Sequence, residues 1–555
     1  MKEVSVADFG VSPDSGADAV PGVRQALDAI RDLAQPVVLH FPAGRYDFHE
    51  EAAARLELRV TNTTSEDEDP TAMKKIAILV ENQRGLTIDG HGSLFAFHGR
   101  QTMLAVERCR GVRVRDVRFD FEHPTIAEMT VTAAGDRWFE GRVHASTRYE
   151  IVDQTLWWTG PGWRFFEGPA QVLDPRAGTT SRIDNPLRDA VALELQPGRL
   201  RFEVASRPGL RPSQVLQMRD GLRDQVGILV DSSTDVVLED MALHFAHGLG
   251  IVAQFTEDVA VERVQIRPRP DSGRTTAAFA DILHFSGCRG SLVVSGCVLS
   301  HSHDDAINIH GTHLAITARC RPDRLIVRFM HPQTFGLPAF RPEDEINVVC
   351  ARTLVPRSTH RVLDVETINQ REIELTLDSI VPDVRPGDVV ENVTWNPRVQ
   401  IVGNHFSHIP TRGVLVTTRE PVFIERNVFE RTCHSPVLIA DDAGSWFESG
   451  PVQNVTIREN HFIECGGAEQ PSISVAPEVT DPASTRPVHR GIEVTRNVTT
   501  TRDAGLLYAK STQGMSITSN VVERTGAGAP RLRELVTFEG CSELAASGNV
   551  AHART

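Results

Sequence analysis

Three aspartates are the residues of this chain best suited to chemistry. Asp281 lies in the segment Ala280–His284, and Asp304 and Asp305 lie in Ser302–His310, 23 and 24 residues further on. The surrounding chain repeats with a similar period, so each period can form one coil of a solenoid, with neighbouring strands about 5 Å apart. Three carboxyl groups gathered on one face repel one another, and such a cluster therefore favours a functional role.

The chemistry that fits three neighbouring carboxyl groups is glycoside hydrolysis. One acid with a raised pKa can protonate the leaving oxygen, while its ionised partners hold and deprotonate a water. Inversion requires an acid and a base about 6.5–9.5 Å apart, and diagonal positions on adjacent strands, about 7–8 Å apart, are compatible with that. An isolated Asp in a solenoid is usually a turn residue. The Asp–Asp pair that follows Ser302 and His303 lies in an apolar strand pattern and is not a solvated charge run, which favours a functional role.

Other functions remain open at this point. A polysaccharide lyase of the parallel β-helix class would hold Ca²⁺ with its aspartates and use an Arg or Lys as base. No Arg or Lys lies between Asp304 and His310, which argues against elimination. A polygalacturonase-like hydrolase acting on another glycan is a further alternative. A carbohydrate-binding or adhesive solenoid would need no acid cluster.

The composition of the chain limits the classes of partner that we expect the protein to bind. The 555 residues carry a formal charge of -15 without a basic run, so we expect no nucleic-acid partner and a neutral sugar rather than an anionic polymer. The absence of an apolar run of about 18 residues predicts no membrane insertion. The eight cysteines form no C-x-x-C pattern, and Cys109, Cys288 and Cys541 recur at equivalent repeat positions, which predicts buried core residues rather than disulfides.

The repeat itself predicts the fold. Short alternating strands such as Gly85–Gly90 and Asp235–Asp240 recur, and in the later copies each ends in an asparagine: Asn404, Asn427, Asn460, Asn497, Asn520 and Asn549. A period near 23 residues without helical spacing predicts an all-β solenoid, a right-handed parallel β-helix. Asparagine tolerates a left-handed backbone, and its amide can bond to the next coil.

Three segments depart from the repeat. The apolar spacing of Gly22–Leu33 predicts a helix that caps the N-terminal end of the solenoid. The other two contain alternating strands between turns, which predicts two inserted small antiparallel β-barrel-like domains. The predicted domains are an N-terminal cap with first coils at 1–123, an inserted β domain at 124–225, coils carrying the acids at 226–311, a second inserted β domain at 312–395, and C-terminal coils at 396–555. We expect the second insertion to wall the site or to carry an intersubunit contact.

At the acid segments a family resemblance emerges. One Asp followed a coil later by an Asp–Asp pair is similar to the trio of polygalacturonases. The whole chain more closely resembles glycoside hydrolase family 110, the exo-acting α-1,3-galactosidases, in its repeats, its two insertions, and the segments Ala280–His284 and His303–Asn308. The resemblance implies hydrolysis, with inversion, of terminal α-1,3-linked galactose from blood-group B-type and linear α-galactosyl glycans, without a cofactor. It also implies secretion, although Met1–Asp8 shows no apolar signal core.

The resemblance implies that Asp281, Asp304 and Asp305 are the catalytic carboxyl groups. By likeness to polygalacturonases, Asp304 is the predicted general acid, and the other two position and deprotonate the water. Five further residues are predicted substrate contacts: His284, His303, Asn308, His310 and Trp395. We expect no metal ligand, and we interpret Trp157, Trp158 and Trp446 as packing or insertion-surface residues. The insertions and coil edges are compatible with a homodimer.

Overall fold

The computed structural model describes residues 1–33, 35–381, 384–385, 387–481, 484–525 and 535–553. The chain winds into a parallel β-helix in which strands of successive coils hydrogen-bond in register, and two antiparallel units interrupt the coils. The predicted all-β parallel β-helix is thus confirmed. Each complete coil contributes strands to three faces, and the faces enclose the core.

Two of the faces form one 23-stranded sheet. The first face consists of Lys2–Ser5, Val37–His40, the first halves of Arg84–His98 and Arg110–Phe121, Thr234–Glu239, Glu257–Glu262, Arg289–Ser295, Pro397–Val402, Val422–Glu425, Gln453–Arg458, His489–Thr495, Thr512–Thr518 and Ser542–Ser547. The second consists of Arg45–His49, the second halves of the two long strands, Ala242–Leu243, Gln265–Ile266, Val298–Ser300, His405–Ser407, Val428–Glu430, His461–Ile463, Val498–Thr501, Val521–Arg524 and Val550–Ala553.

The third face is a 13-stranded sheet and carries the acid segments. Its strands are Ala54–Glu57, Met73–Glu81, Thr102–Glu107, Ile228–Asp231, Ile251–Gln254, Leu283–Ser286, Ile307–Thr312, Val414–Val416, Val437–Ile439, Ile473–Val475, Leu507–Lys510 and Val536–Glu539, with Glu448–Ser449 paired antiparallel to Ile307–Thr312. Ile251, Leu283 and Ile307 occupy the same position on consecutive coils, and each is almost fully buried. Such in-register stacking of apolar side chains builds one continuous core.

The asparagines at the strand ends form a ladder. The side-chain amide of Asn427 donates to the side-chain oxygen of Asn460 at 3.0 Å, and Asn460 donates in the same way to Asn497 at 2.9 Å. Each amide also donates to a backbone carbonyl, as Asn460 does to Ile424 at 2.8 Å. The ladder runs from Asn404 to Asn549. It confirms the prediction that these amides link one coil to the next.

The N-terminal segment packs on the first coils. A 3₁₀ helix covers Val6–Phe9, and the α-helix covers Val20–Ile30 instead of the expected Gly22–Leu33. Its apolar side chains belong to the main core, and Leu33 packs against that core from beyond the helix end. No helix in the described part of the chain is long and apolar enough to cross a membrane.

The first insertion is an antiparallel unit between the coil strands that end at Phe121 and resume at Ile228. Seven strands form one sheet in the order Thr179–Ile183, Ala170–Asp174, Val215–Met218, Ala127–Ala134, Trp138–Val143, Arg199–Glu203 and Val191–Gln196. Arg148–Val152, Thr155–Gly160 and Trp163–Phe165 form a three-stranded sheet beside it. The unit has its own apolar core, and we propose 124–225 as its boundaries.

The second insertion is a closed six-stranded barrel. Its strands, in barrel order, are Leu314–Arg321, Arg324–Arg328, Glu372–Leu377, Val355–Thr367, Glu345–Cys350 and Val389–Asn392. A separate apolar cluster fills it, and we propose 312–395 as its boundaries. All eight cysteines are free: Cys109 and Cys288 are buried as predicted, whereas Cys541 is half-buried.

Candidate active site

The β-helix places Asp281 and Asp305 at the same position on consecutive coils. The carbonyl of Asp305 accepts the N–H of the residue after Asp281 at 2.9 Å, and the carbonyl of Arg412 accepts the N–H of the residue after Asp305 at 3.0 Å. The strands that follow all three residues pair in this register. The predicted proximity of the acids is therefore confirmed. Arg412 occupies the same position as Asp281 and Asp305 on the next coil.

The three acids line one cleft. One carboxylate oxygen from each of Asp281, Asp304 and Asp305 lies within 4.8 Å of the others. The cleft has a volume of about 260 Å³. Its lining comprises Asn62, Arg182, Arg223, Asp281, Asp304, Asp305, Asn308, Arg412, Leu415, Leu438, Ala440, Asp442, Ser445, Trp446, Glu448 and Glu478. Six carboxyl groups therefore face three guanidinium groups.

Two arginines hold the acid pair. The Nη2 of Arg182, from the first insertion, lies 2.8 Å from the Oδ1 of Asp304 and also donates to the carbonyl of His303 at 3.0 Å. Arg412 donates from its backbone N–H and its guanidinium to both carboxylate oxygens of Asp305, at 2.5–3.0 Å. The segment from Asp304 to His310 contains no Arg, but Arg182 and Arg412 reach the acids from other parts of the chain. The sequence-based argument against elimination, which relied on the lack of a nearby Arg, was therefore wrong.

The acids experience different electrostatic environments. Burial raises the pKa of Asp281 well above its ordinary value, and the neighbouring Asp304 and Asp305 raise it further. Burial alone would also raise the pKa of Asp304, but the guanidinium groups of Arg182 and Arg412 outweigh it and hold that pKa below its ordinary value. In the free protein the proton is therefore favoured on Asp281, whereas the sequence-based prediction placed it on Asp304.

Two of the predicted sugar contacts lie behind the acids instead. His284 and His310 are 0% and 3% exposed, and neither lines the cleft. The Nδ1 of His284 contacts Asp281 at 2.9 Å, and its Nε2 contacts the Nε2 of His310 at 3.0 Å. Neither imidazole faces the cleft directly: His284 contacts Asp281, and the Nε2 of His310 also lies 3.5 Å from the carboxylate of Glu448.

Of the other three predicted sugar contacts, one lines the cleft and two are buried outside it. Asn308 lines the cleft, and its Oδ1 is buried without a hydrogen-bond partner among the described residues, so it can accept a sugar hydroxyl. His303 is buried outside the lining. Trp395 is also buried outside it, between the guanidinium groups of Arg289 and Arg341, at 4.5 and 4.2 Å. Its ring is therefore occupied by packing.

One aromatic residue of the cleft, Trp446, was interpreted from the sequence as a packing or insertion-surface residue. Trp446 is 42% exposed and lines the cleft. It lies on a tight loop in which the carboxylate of Asp442 accepts four backbone N–H groups, those of residues 444–447, at 2.6–2.7 Å. A second Asp–Asp pair, Asp441 and Asp442, followed by Gly-Ser-Trp is the sequence signal that could have identified this loop.

Residues of the second insertion border the cleft as expected. The ring of His331 stacks on Trp446, with centroids 4.1 Å apart. The Oε1 of Gln333 accepts from Arg223 at 2.7 Å, and the hydroxyl of Thr334 donates to Asn62 at 2.7 Å. Both inserted units thus position cleft residues that are far from the acids in sequence.

Glu448 is a fourth carboxyl group of the cleft that sequence reasoning missed. It lies on the short strand antiparallel to Ile307–Thr312 and is 9% exposed. Its carboxylate accepts from the side-chain amides of Asn62 at 2.9 Å and Asn308 at 3.3 Å. These contacts join the first coils to the acid coils at the cleft floor.

The sequence relatives of this chain show which class of protein the β-helix and its acid cleft belong to, the glycoside hydrolases. Over 564 residues the chain is 36% identical to the alpha-1,3-galactosidase A of Bacteroides fragilis, covering 100% of this chain and 93% of that one. It is 38% identical over 501 residues to alpha-1,3-galactosidase A of Akkermansia muciniphila, covering 89% and 82%. It is 33% identical over 569 residues to alpha-1,3-galactosidase B of Bacteroides thetaiotaomicron, covering 99% and 91%.

The chain belongs to the α-1,3-galactosidase family, glycoside hydrolase family 110, and is an α-galactosidase-type glycoside hydrolase. The GLAA-B beta-barrel domain II family matches residues 324–390, within the six-stranded barrel. Among solved structures, the A-module of mannuronan C-5 epimerase AlgE6 from Azotobacter vinelandii is similar over 99% of both chains, with 11% identity and a TM-score of 0.44.

Proposed function

We propose that the protein removes terminal α-1,3-linked galactose from the non-reducing ends of blood-group B-type and linear α-galactosyl glycans. The observation that carries the proposal is the acid trio at a cleft of about 260 Å³. This volume is below the roughly 300–1,000 Å³ of sites for drug-sized ligands and suits one sugar ring. Such a pocket favours a chain end over the interior of a polymer.

Charge supports a neutral sugar over a uronate. The cleft carries six carboxyl groups and three guanidinium groups, and two of the guanidiniums are engaged by Asp304 and Asp305. A substrate carboxylate would therefore be repelled. The exposed ring of Trp446 can stack on the apolar face of galactose, and Asn308 can accept one of its hydroxyl hydrogens.

We further propose that the reaction inverts the anomeric centre, as the resemblance to glycoside hydrolase family 110 implies. One carboxylate oxygen from each acid lies within 4.8 Å of the others. That is nearer the roughly 5–5.5 Å of retaining pairs than the roughly 6.5–9.5 Å of inverting pairs, so the family resemblance and not this spacing supports inversion. Proton NMR of the first product decides it. We expect β-galactose, and initial release of α-galactose would overturn inversion.

The substrate range is tested with branched B trisaccharide, linear α-1,3-galactobiose and polygalacturonate. We expect galactose release from one or both α-galactosides and none from the polyuronate. Cleavage of polygalacturonate alone would contradict the proposal. The homodimer stays a prediction, which sedimentation velocity of the full chain can check.

A further inference from the structure

Two histidines and an aspartate meet on the outside of the first coils, apart from the acid cleft. His40 and Asp89 occupy paired positions on adjacent strands, and His91 lies two residues beyond Asp89. Their neighbours Leu39 and Ile88 belong to the core, so His40 and Asp89 point outwards. One ligand atom from each of the three side chains lies within 4.8 Å of the others. None of the three lines the acid cleft.

The ligand atoms of this cluster are separated by distances that suit a shared metal ion. The Nε2 of His40 is buried without a hydrogen-bond partner among the described residues, and it lies 3.9 Å from the Oε2 of Glu3. The Nδ1 of His91 lies 3.5 Å from the Oδ1 of Asp89. Two ligands of a tetrahedral zinc ion are about 3.4 Å apart, because each bond to the ion is about 2.0–2.1 Å long. Both distances are close to that separation.

Arg115 prepares Asp89 to act as a ligand. Its Nε and Nη2 lie 2.8 and 2.7 Å from the Oδ2 of Asp89, which leaves the Oδ1 on the side of His91. Burial alone would raise the pKa of Asp89, but the hydrogen bond from Arg115 and that from the backbone N–H of His91 lower it below its ordinary value. The carboxylate is therefore ionised and held in place. Hydrogen bonds of this kind orient the ligands of metal sites.

We propose that His40, Asp89 and His91 bind a divalent transition-metal ion such as Zn²⁺, with Glu3 as the fourth ligand. Imidazole and carboxylate groups are suitable ligands for this class of ion. Glu3 lies on Lys2–Ser5, which among the described strands pairs only with Val37–His40. The ion would therefore fasten an edge strand to the next two coils and stabilise the N-terminal end of the β-helix.

This proposal differs from the sequence-based expectation of no metal ligand. The ligands lie on three separate strands, and only the pairing of those strands brings Glu3, His40 and Asp89 together. The ion takes no part in hydrolysis, because its ligands lie on a different face of the β-helix from the acid trio.

Zinc binding by the untagged protein tests the proposal. After treatment with EDTA and removal of the chelator, calorimetric titration with Zn²⁺ should show one site with a Kd in the micromolar range or tighter. His40→Gln and His91→Gln should each weaken binding at least about tenfold, an effect that loss of an outer-shell partner alone can produce. His405→Gln, which removes an exposed histidine 3.4 Å from Glu430, is the control and should keep the wild-type affinity. Absence of saturable binding, or unchanged affinity in both ligand variants, would overturn the proposal.

A second measurement assigns the ion, because the acid trio is the other group of described residues whose ligand atoms lie this close together. Saturating Zn²⁺ should raise the thermal midpoint of the wild type and of Asp304→Asn, but not that of His91→Gln, since an ion that binds the folded state stabilises it. An increase that is lost in Asp304→Asn and kept in His91→Gln would place the ion at the trio and overturn the proposal.

Cobalt tests the fourth ligand. Co²⁺ bound in place of Zn²⁺ should show the visible absorption bands of a tetrahedral site, and Glu3→Gln should change them. Identical spectra in the two proteins would overturn the assignment of Glu3. Because none of these measurements uses a sugar substrate, their results are independent of the proposed function.

Discussion

Arg182 on the first inserted sheet and Asp304 on the β-helix form an ion pair of 2.8 Å across more than 120 residues of sequence. The pair favours the ionised form of Asp304, because Arg182 lowers its pKa, and it links the first inserted unit to the acid trio. The insertion is therefore part of the site.

Arg182→Gln should shift one limb of the pH profile. Because Arg182 lowers the pKa of Asp304, its removal raises that pKa. If Asp304 works as an ionised base, the acidic limb of kcat/KM moves to higher pH. The exposed Arg176→Gln carries the same change in formal charge and should leave both limbs in place. Movement of the basic limb alone would instead identify Asp304 as the acid.

Asp281→Asn and Asp304→Asn should respond differently to the leaving group. Loss of a general acid or base costs about 10²–10⁴-fold in turnover on an oligosaccharide. An aryl α-galactoside with an acidic phenol needs no protonation, so Asp304→Asn, which lacks the general acid predicted from the sequence, should recover much of the wild-type rate on it. Asp281→Asn should stay slow on both substrates. Recovery in Asp281→Asn and not in Asp304→Asn would move the acid role to Asp281.

Trp446→Ala should weaken substrate binding more than catalysis. Loss of a stacking surface worth about 1.4 kcal/mol raises KM about tenfold. Trp446→Phe retains a ring and should stay within about threefold of the wild type. Trp157→Ala removes an aromatic residue that packs on Phe166 in the first insertion, and it should leave KM unchanged. Equal KM values in the alanine and wild-type proteins would remove Trp446 from the sugar site.

Asn460→Ala should destabilise the coils without changing the chemistry. The substitution deletes two donated bonds and leaves the backbone and side-chain donors of Asn427 without their acceptor, which costs about 2 kcal/mol or more. We expect a lower thermal midpoint with unchanged KM. Glu493→Ala, at an exposed position of a neighbouring coil, should change stability by less than about 0.5 kcal/mol. An unchanged midpoint in Asn460→Ala would show that the ladder contributes little.

The sequence alone determined the β-helix and the proximity of the acids, because each coil contacts only its neighbours. A period of 23–24 residues is sufficient to place Asp281 beside Asp305, and the recurring asparagines mark where each coil turns. These relations depend on spacing along the chain, which can be counted. The family resemblance then supplied the sugar, and the relatives named alpha-1,3-galactosidase agree with it.

Only the tertiary structure decided how the acids differ. Arg182 and Trp446 reach the cleft from segments over 100 residues away, through the packing of an insertion and a tight loop that no period predicts. The depth of His284 and the packing of Trp395 likewise depend on which side of a strand faces the interior. Protonation follows burial and charge contacts in three dimensions, so the sequence identified the three carboxyl groups but not which of them carries the proton.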